Sequence, residues 1–241
     1  QQVAAEALGH EKGSIVAIEP STGKILAMVS YPTFDSNTVS ENWAELNSDD
    51  ENSPLLNRAT QGLYPPGSTF KIITAASALE VSTKYMDFNF KCTGDAKFGD
   101  SILHCYDGKA HGKVDMTSAF AKSCNGYFAT VAEEIGNDQL IKTATDFGFN
   151  TDLNFPLEYK KASFALKSNS DVKELAATAI GQGKTLTSPL FMAMVTSAIA
   201  NNGSIMQPYI VDHIETPSGG VRNRTLPTKL LQACDSSTAH K

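Results

Sequence analysis

Basic residues are in short supply in this 241-residue chain: 20 Lys and Arg stand against 26 Asp and Glu, a net charge of −6. No cationic stripe is available to neutralise a phosphate backbone, which argues against nucleic-acid binding. Long apolar runs are missing as well. The most apolar stretch, Leu190 to Ala200, falls short of the roughly 18 residues of a membrane span and contains Thr196 and Ser197. The start at Gln1 has no basic segment followed by an apolar one, so it does not read as a signal peptide. Several catalytic signatures are also absent. There is no G-x-S-x-G and no H-E-x-x-H. Gly181-Gln182-Gly183-Lys184-Thr185 invites a phosphate-loop reading, but Thr178 stands where the Walker pattern needs glycine and the preceding Lys-Glu-Leu-Ala-Ala-Thr-Ala run reads as helix rather than strand. No cofactor is implied.

Cysteine is sparse. Cys92, Cys105, Cys124 and Cys234 are too few to make a disulfide scaffold of this length. Cys92 and Cys105 bracket a Gly- and Asp-rich segment that reads as a loop, where one disulfide would fit an oxidising compartment. The same segment carries His104 and His111, so a Cys/His zinc site is the sharper alternative, but the spacing matches no standard finger or ribbon and no metal ligand is assigned.

What the chain does have is enough to build a core. It is 41% hydrophobic and 8% aromatic, which argues against disorder and for one large or two small domains. Ser14–Glu19 and Lys24–Ser30 are strand-like runs joined by Pro20-Ser21-Thr22-Gly23, a hairpin. Asp35 to Ser53 is polar and reads as a surface excursion. After Tyr64-Pro65-Pro66-Gly67 the run from Ser68 is apolar on most faces, the pattern of a buried helix. Further helices are expected over Met116–Lys122, Gly126–Ile135 and Gln139–Phe147, and over a segment opened by Ser188-Pro189 and closed at Asn201-Asn202-Gly203. Met206 to Glu215 reads as a strand and Ser218-Gly219-Gly220 as a turn; the last twenty residues give little signal. Strands, then mostly helices, then a returning strand make an α+β fold, helices packed on an antiparallel sheet.

Two clusters carry chemistry. In Ser68-Thr69-Phe70-Lys71 the serine and lysine share one helix face. A serine hydroxyl is a poor nucleophile until a base takes its proton. A lysine can be that base once burial depresses its pKa. The helix start offers unpaired N–H groups to a developing oxyanion. The four residues alone are a weak signal, since Ser21-Thr22-Gly23-Lys24 fits the same spacing in a hairpin turn, and a capping serine followed by a surface lysine is the bland reading. Ser123-Cys124-Asn125 sits at a helix junction, where a hydroxyl could relay a proton and an amide could hold a peptide group. Its bland reading is a turn of capping residues, and Ser40-Glu41-Asn42 matches the spacing too.

In combination these blocks are specific. YPPGSTFKI, AFAKSCNGYFATVA and GQG followed by SPLFMAM, in that order, resemble the transpeptidase domain of class B penicillin-binding proteins. The likeness runs from about Val16 to Ile210 and is greatest to the elongation-type enzymes of Gram-positive bacteria. The resemblance implies a serine D,D-transpeptidase of the serine β-lactamase-like fold, with Ser68 acylated by the D-Ala-D-Ala end of a peptidoglycan stem peptide and Lys71 as its base. Ser123 would pass the proton to the leaving D-Ala, and Asn125 would hold the peptide and contact Lys71. It further implies covalent inhibition by β-lactams, a lipid-linked glycan polymerase as partner, and a site of action on the extracytoplasmic membrane face through an anchor in the parent protein. One departure stands out: no K-[ST]-G motif follows Asn125. Residues 1–241 are therefore expected to be one transpeptidase domain cut before its third motif, the remainder being a separate chain or absent. Two other readings follow from the same residues, a class D-like serine β-lactamase, and a non-catalytic penicilloyl sensor or scaffold.

Overall fold

The computed structural model describes all 241 residues. A short helix α1 (Gln2–Leu8) leads into strands β1 (Gly13–Ile18) and β2 (Ile25–Tyr31), which pair antiparallel around the Pro-Ser-Thr-Gly turn. Val16, Ile18 and Met28 pack from this hairpin onto the main core, and in β2 the buried Ile25 and Ala27 flank exposed Leu26, the alternation of a sheet with one face covered. The polar excursion holds only α2 (Trp43–Ser48), with no buried residue.

The core helix starts later than its apolar pattern suggests. Residues Gly67–Phe70 form a 3₁₀ turn, and the α-helix α3 spans Lys71–Val81. Ser68 therefore lies in the turn that feeds the helix, one residue past Gly67, whose φ of 56° lies in the left-handed region. The segment between Cys92 and Cys105 is not a plain loop. Strands β3 (Phe90–Cys92), β4 (Asp95–Phe98), β5 (Ser101–His104) and β6 (Gly112–Val114) form two small ladders, β3 with β6 and β4 with β5. Next come α4 (Met116–Ala121), opened by an Asp115–Ser118 capping box, and α5 (Asn125–Asp146). At Gly136, with φ 80° and ψ 170°, α5 leaves helical geometry. The break falls between the two helices the sequence pattern separates.

Helices α6 (Val172–Ala179) and α7 (Pro189–Ala200) complete the helical layer, Ser188 capping α7 through its hydroxyl. The single strand expected over Met206–Glu215 is two: β7 (Ser204–Met206) and β8 (His213–Glu215), interrupted around Pro208, which has no N–H to give to a ladder. β8 pairs with β9 (Val221–Arg224) across the Ser-Gly-Gly turn, and β7 pairs with β10 (Lys229–Gln232), before a last short helix α8 (Ser236–Ala239). The quiet C-terminal sequence thus holds a strand and a helix. Two clusters make up most of the interior. The larger joins α3, α5, α6 and α7 with Phe147, Phe149, Phe155 and Phe164; the smaller lies around Tyr127, Phe128 and three of the cysteines. The 3₁₀ turn and the α4–α5 junction meet between them.

Candidate active site

Phe70 sets the position of the nucleophile's turn. Its ring is fully buried, stacked on Phe164 and edge-on to Phe149, both with centroids 5.8 Å away. Gly181 presses on the turn from behind. The Gly67 N–H donates to the Gly181 carbonyl at 2.9 Å, and a Cβ at residue 181 would lie 1.9 Å from the Gly67 oxygen. This gives the Gly-Gln-Gly run its physical meaning: the first glycine lets the end of α6 touch the backbone beside Ser68. The Pro-Pro-Gly approach is held by a two-way backbone bridge between Tyr64 and Thr187.

The structure brings Ser68, Lys71, Ser123 and Asn125 together. Lys71 is 2% exposed. Its Nζ lies 3.1 Å from Ser68 Oγ, 2.7 Å from Ser123 Oγ, 2.9 Å from the Ser123 carbonyl and 2.6 Å from Asn125 Oδ1. Ser123 Oγ lies 2.8 Å from Ser68 Oγ. Four oxygens surround a group that has three N–H bonds when charged and two, plus a lone pair, when neutral. The carbonyl and the amide oxygen only accept, so they take the two N–H bonds of the neutral amine. The lone pair then faces a hydroxyl, and a hydroxyl can donate to it. The arrangement therefore suits a neutral lysine that accepts from a serine. Burial acts in the same direction, drawing the Lys71 pKa down from the usual lysine range to about 8. The Phe128 ring, 5.9 Å away, forms one apolar wall.

Ser123 adopts φ 52°, a left-handed conformation rare for a residue with a side chain. That geometry turns both its carbonyl and its hydroxyl toward Lys71. Asn125 is the first residue of α5. Its Oδ1 accepts from Lys71 and its Nδ2 donates to the His104 carbonyl at 2.9 Å, which leaves its second amide hydrogen for a ligand. A mostly apolar cavity of about 560 Å³ lies elsewhere, on the Ile72–Ala76 side of α3 away from Ser68.

The four cysteines are free thiols, and the Cys92 and Cys105 sulfurs are 3.7 Å apart, not bonded. His104, considered in the sequence as a zinc ligand, instead pairs with Asp95 at the surface at 2.7 Å. His111 does join Cys92 and Cys105, and Cys124 completes the group, all four ligand atoms lying within 4.8 Å of one another. Sequence reasoning overlooked Cys124 in this role; the signal was its place inside the Ser-Cys-Asn block.

Comparison with known proteins gives the family of the chain. The family model for the penicillin binding protein transpeptidase domain matches residues 13–241. The chain is 36% identical to the peptidoglycan D,D-transpeptidase PbpA of Mycolicibacterium smegmatis over 245 residues, covering 96% of this chain and 49% of that protein. It is also 36% identical to the peptidoglycan D,D-transpeptidase MrdA of Acinetobacter baumannii, covering 88% of this chain and 34% of that protein. Among solved structures, the D,D-transpeptidase domain of a peptidoglycan glycosyltransferase from Eggerthella lenta superposes with a TM-score of 0.93 at 35% identity, over 99% of this chain and 61% of that one. The penicillin G acyl-enzyme complex of penicillin-binding protein A from M. tuberculosis gives 0.90 at 31% identity, over 99% and 59%. The chain spans about half the length of the PbpA relatives it matches.

Proposed function

The chain belongs to the penicillin-binding protein transpeptidase family, and on that premise we propose that it carries the acyl-transfer site of a peptidoglycan D,D-transpeptidase. The observation that carries this reading is the convergence of Ser68, Lys71, Ser123 and Asn125 around one buried amine. In the proposed reaction Ser68 Oγ attacks the carbonyl of the penultimate D-Ala of a stem peptide, and its proton passes to neutral Lys71. The tetrahedral oxyanion forms at the start of the 3₁₀ turn, where the Gly67 N–H is taken by the Gly181 carbonyl and the Ser68 N–H has no acceptor within the turn. Collapse expels the terminal D-Ala, whose nitrogen takes a proton relayed through Ser123. The amine of a second stem peptide then attacks the Ser68 ester, gives up its proton along the same path, and leaves the cross-linked peptide and free Ser68. Asn125, pinned to Lys71 and to the His104 carbonyl, orients the donor peptide with its remaining amide hydrogen. β-Lactams acylate the same hydroxyl.

The names of the relatives, peptidoglycan D,D-transpeptidases, support a role in cell-wall synthesis outside the cytoplasm. We extend this to the extracytoplasmic membrane face, beside a lipid-linked glycan polymerase. No helix of the structure is long and apolar enough to cross a membrane, so this location assigns anchoring to the parent protein. We read residues 1–241 as one transpeptidase domain whose K-[ST]-G motif is supplied from outside these residues, as the rest of the same protein or as a separate chain.

The test is intact mass after incubation with excess benzylpenicillin. A single persistent adduct, absent in Ser68→Ala, is expected. A folded protein that gains no mass would sink the reading. Rapid turnover of a chromogenic β-lactam with no adduct would make the chain a β-lactamase, and an adduct with no transfer to an acceptor amine would make it a penicilloyl sensor.

A further inference from the structure

In a chain of net charge −6, one surface beside the acyl site is basic. Strands β3 and β6 pair in a register that sets Lys91 directly opposite Lys113. Their strand neighbours Cys92 and Val114 are buried, so the alternation of the pleat turns both lysines outward. Opposed residues of an antiparallel pair have Cβ atoms about 4.5–5.5 Å apart, and like charges at that spacing repel. A shallow cavity of about 280 Å³ opens between Asn89, Phe90, Lys91, Gly112 and Lys113. Lys122, immediately before Ser123, donates from Nζ to the His111 carbonyl at 3.4 Å, which brings its charge to the start of β6. Lys109 completes the group. Burial, and then the charges of Lys122, Lys109 and Lys71, hold the His111 imidazole below the usual histidine range, so all three ammonium groups lie near one ring.

Lys91, Lys109, Lys113 and Lys122 are exposed, and none takes part in an ion pair. The carboxylates of the same segment are committed elsewhere: Asp95 to His104, Asp100 to Lys173, and Asp115 to the cap of α4. A counter-charge from outside the chain is what relieves the opposed pair.

We propose that Lys91 and Lys113, with Lys109 and Lys122 beside them, form the docking surface for the acceptor stem peptide, holding its carboxylate while its amine reaches the Ser68 ester. This rests on the transpeptidase reading above. Position favours that occupant: the patch runs up to Ser123, whose hydroxyl lies 2.8 Å from Ser68 Oγ, so a ligand held by its carboxylate on the ladder extends toward the ester. Charge favours it too. The acceptor is itself a stem peptide with a terminal carboxylate, and an anion is repelled by most of a surface of net charge −6 but attracted here. The lysines bind the acceptor and touch no reacting atom, so their effect is on acceptor affinity.

The experiment is an NMR titration of the ¹⁵N-labelled full chain with Nα-acetyl-L-Lys-D-Ala, which has one amine, one carboxylate and no D-Ala-D-Ala bond to make it a donor. Saturable shifts are expected at the amides of Lys91, Gly112 and Lys113. The double variant Lys91→Gln/Lys113→Gln should bind about tenfold more weakly, within the roughly 2–30-fold range that two exposed ion pairs cover. The peptide's C-terminal amide should bind wild type as weakly as the acid binds the variant, and the variant should not distinguish the two. Raising salt from about 0.05 to about 0.5 M should weaken the acid on wild type only. Removing the opposed charges should raise the variant's unfolding midpoint, which keeps a failure to fold from being read as a failure to bind. Lys167→Gln, an exposed lysine outside the patch, should bind as wild type does. Equal binding of acid and amide by wild type would overturn the proposal, as would shifts confined to other residues. A short polyphosphate that binds at these lysines where the peptide does not would also overturn it and place an anionic polymer there. Acylation by benzylpenicillin is scored separately on wild type. Acylation without carboxylate-dependent binding overturns this proposal and leaves the transpeptidase reading; carboxylate-dependent binding without acylation removes that reading and keeps the peptide-binding surface.

Discussion

Replacing Lys71 with methionine removes the amine and keeps most of its length. Two effects follow, and they have opposite consequences for activity and stability. Burial has already lowered the lysine pKa from 10.5 to about 8. At about 1.4 kcal/mol per unit, the folded protein holds the charged form at a cost of about 3 kcal/mol. Methionine relieves that cost. It also leaves the Asn125 Oδ1 and the Ser123 carbonyl without their lysine donor, at about 1–3 kcal/mol each. The two roughly cancel, so the midpoint of thermal unfolding should move little. Acylation should not survive, because loss of a general base costs about 10²–10⁴ in rate. The assay is the second-order rate of benzylpenicillin acylation by stopped-flow or quenched mass analysis, run with a denaturation curve on the same sample. In the wild type the rate should climb nearly tenfold per unit below pH 8, where neutral lysine is the minor form, and flatten above it. In Lys71→Met that step should vanish. A folded Lys71→Met that acylates within tenfold of wild type would refute the assignment of Lys71 as base, whatever Ser68 does.

Other expectations are independent of that one. The depressed Lys71 pKa means the unfolded chain binds more protons than the folded one between about pH 8 and 10.5, so this group's contribution to stability should rise across that window; a series of chemical denaturations would show it as an increasing midpoint that Lys71→Met lacks. Gly181→Ala puts a Cβ 1.9 Å from the Gly67 oxygen at φ 74°, so the Ser68 turn must shift, and acylation should fall more than global stability, judged by rate against unfolding midpoint. Phe70→Ala empties the aromatic seat behind the nucleophile and should destabilise by about 3–5 kcal/mol in urea titration. Asp115→Ala removes one half of the α4 capping box and should cost about 1 kcal/mol with acylation nearly intact.

Much of the fold was legible because its signals are local. Pro20-Ser21-Thr22-Gly23 marks a turn wherever it stands, and Ser188-Pro189 opens a helix through a hydroxyl and a fixed φ. The break at Gly136 showed as a gap between two periodic runs. What was hidden depends on partners distant in sequence. Pro208 marks the break after β7 locally, but that β7 pairs with β10 and β8 with β9 is set by strands further along the chain. The start of α3 was misplaced by three residues because a 3₁₀ turn and an α-helix share nearly the same pattern of buried positions. Ser68, Lys71, Ser123 and Asn125 could be singled out one block at a time, and the ordered combination of blocks indicated the family, but nothing in the spacing says that one nitrogen meets four oxygens. Cys124 joins Cys92, Cys105 and His111 from two ladders and a helix start, and a group assembled that way has no fixed interval to search for.

The distance along the chain between Lys71 and its partners bears on how the protein folds. The amine meets Ser68 three residues away, but it meets Ser123 and Asn125 across 52 and 54 residues. Contacts of that range close late, because the entropy of the intervening loop must be lost first. A chain that has formed its helices but not docked the α4–α5 junction holds Ser68 beside a solvated lysine of ordinary basicity, which is almost wholly protonated near neutral pH. The hydroxyl gains its activator only at the last docking step. Reactivity toward a β-lactam is therefore a clock for the completion of folding: in a refolding time course, acylation should lag behind helical circular dichroism, and partly folded chains should be spared by the antibiotic.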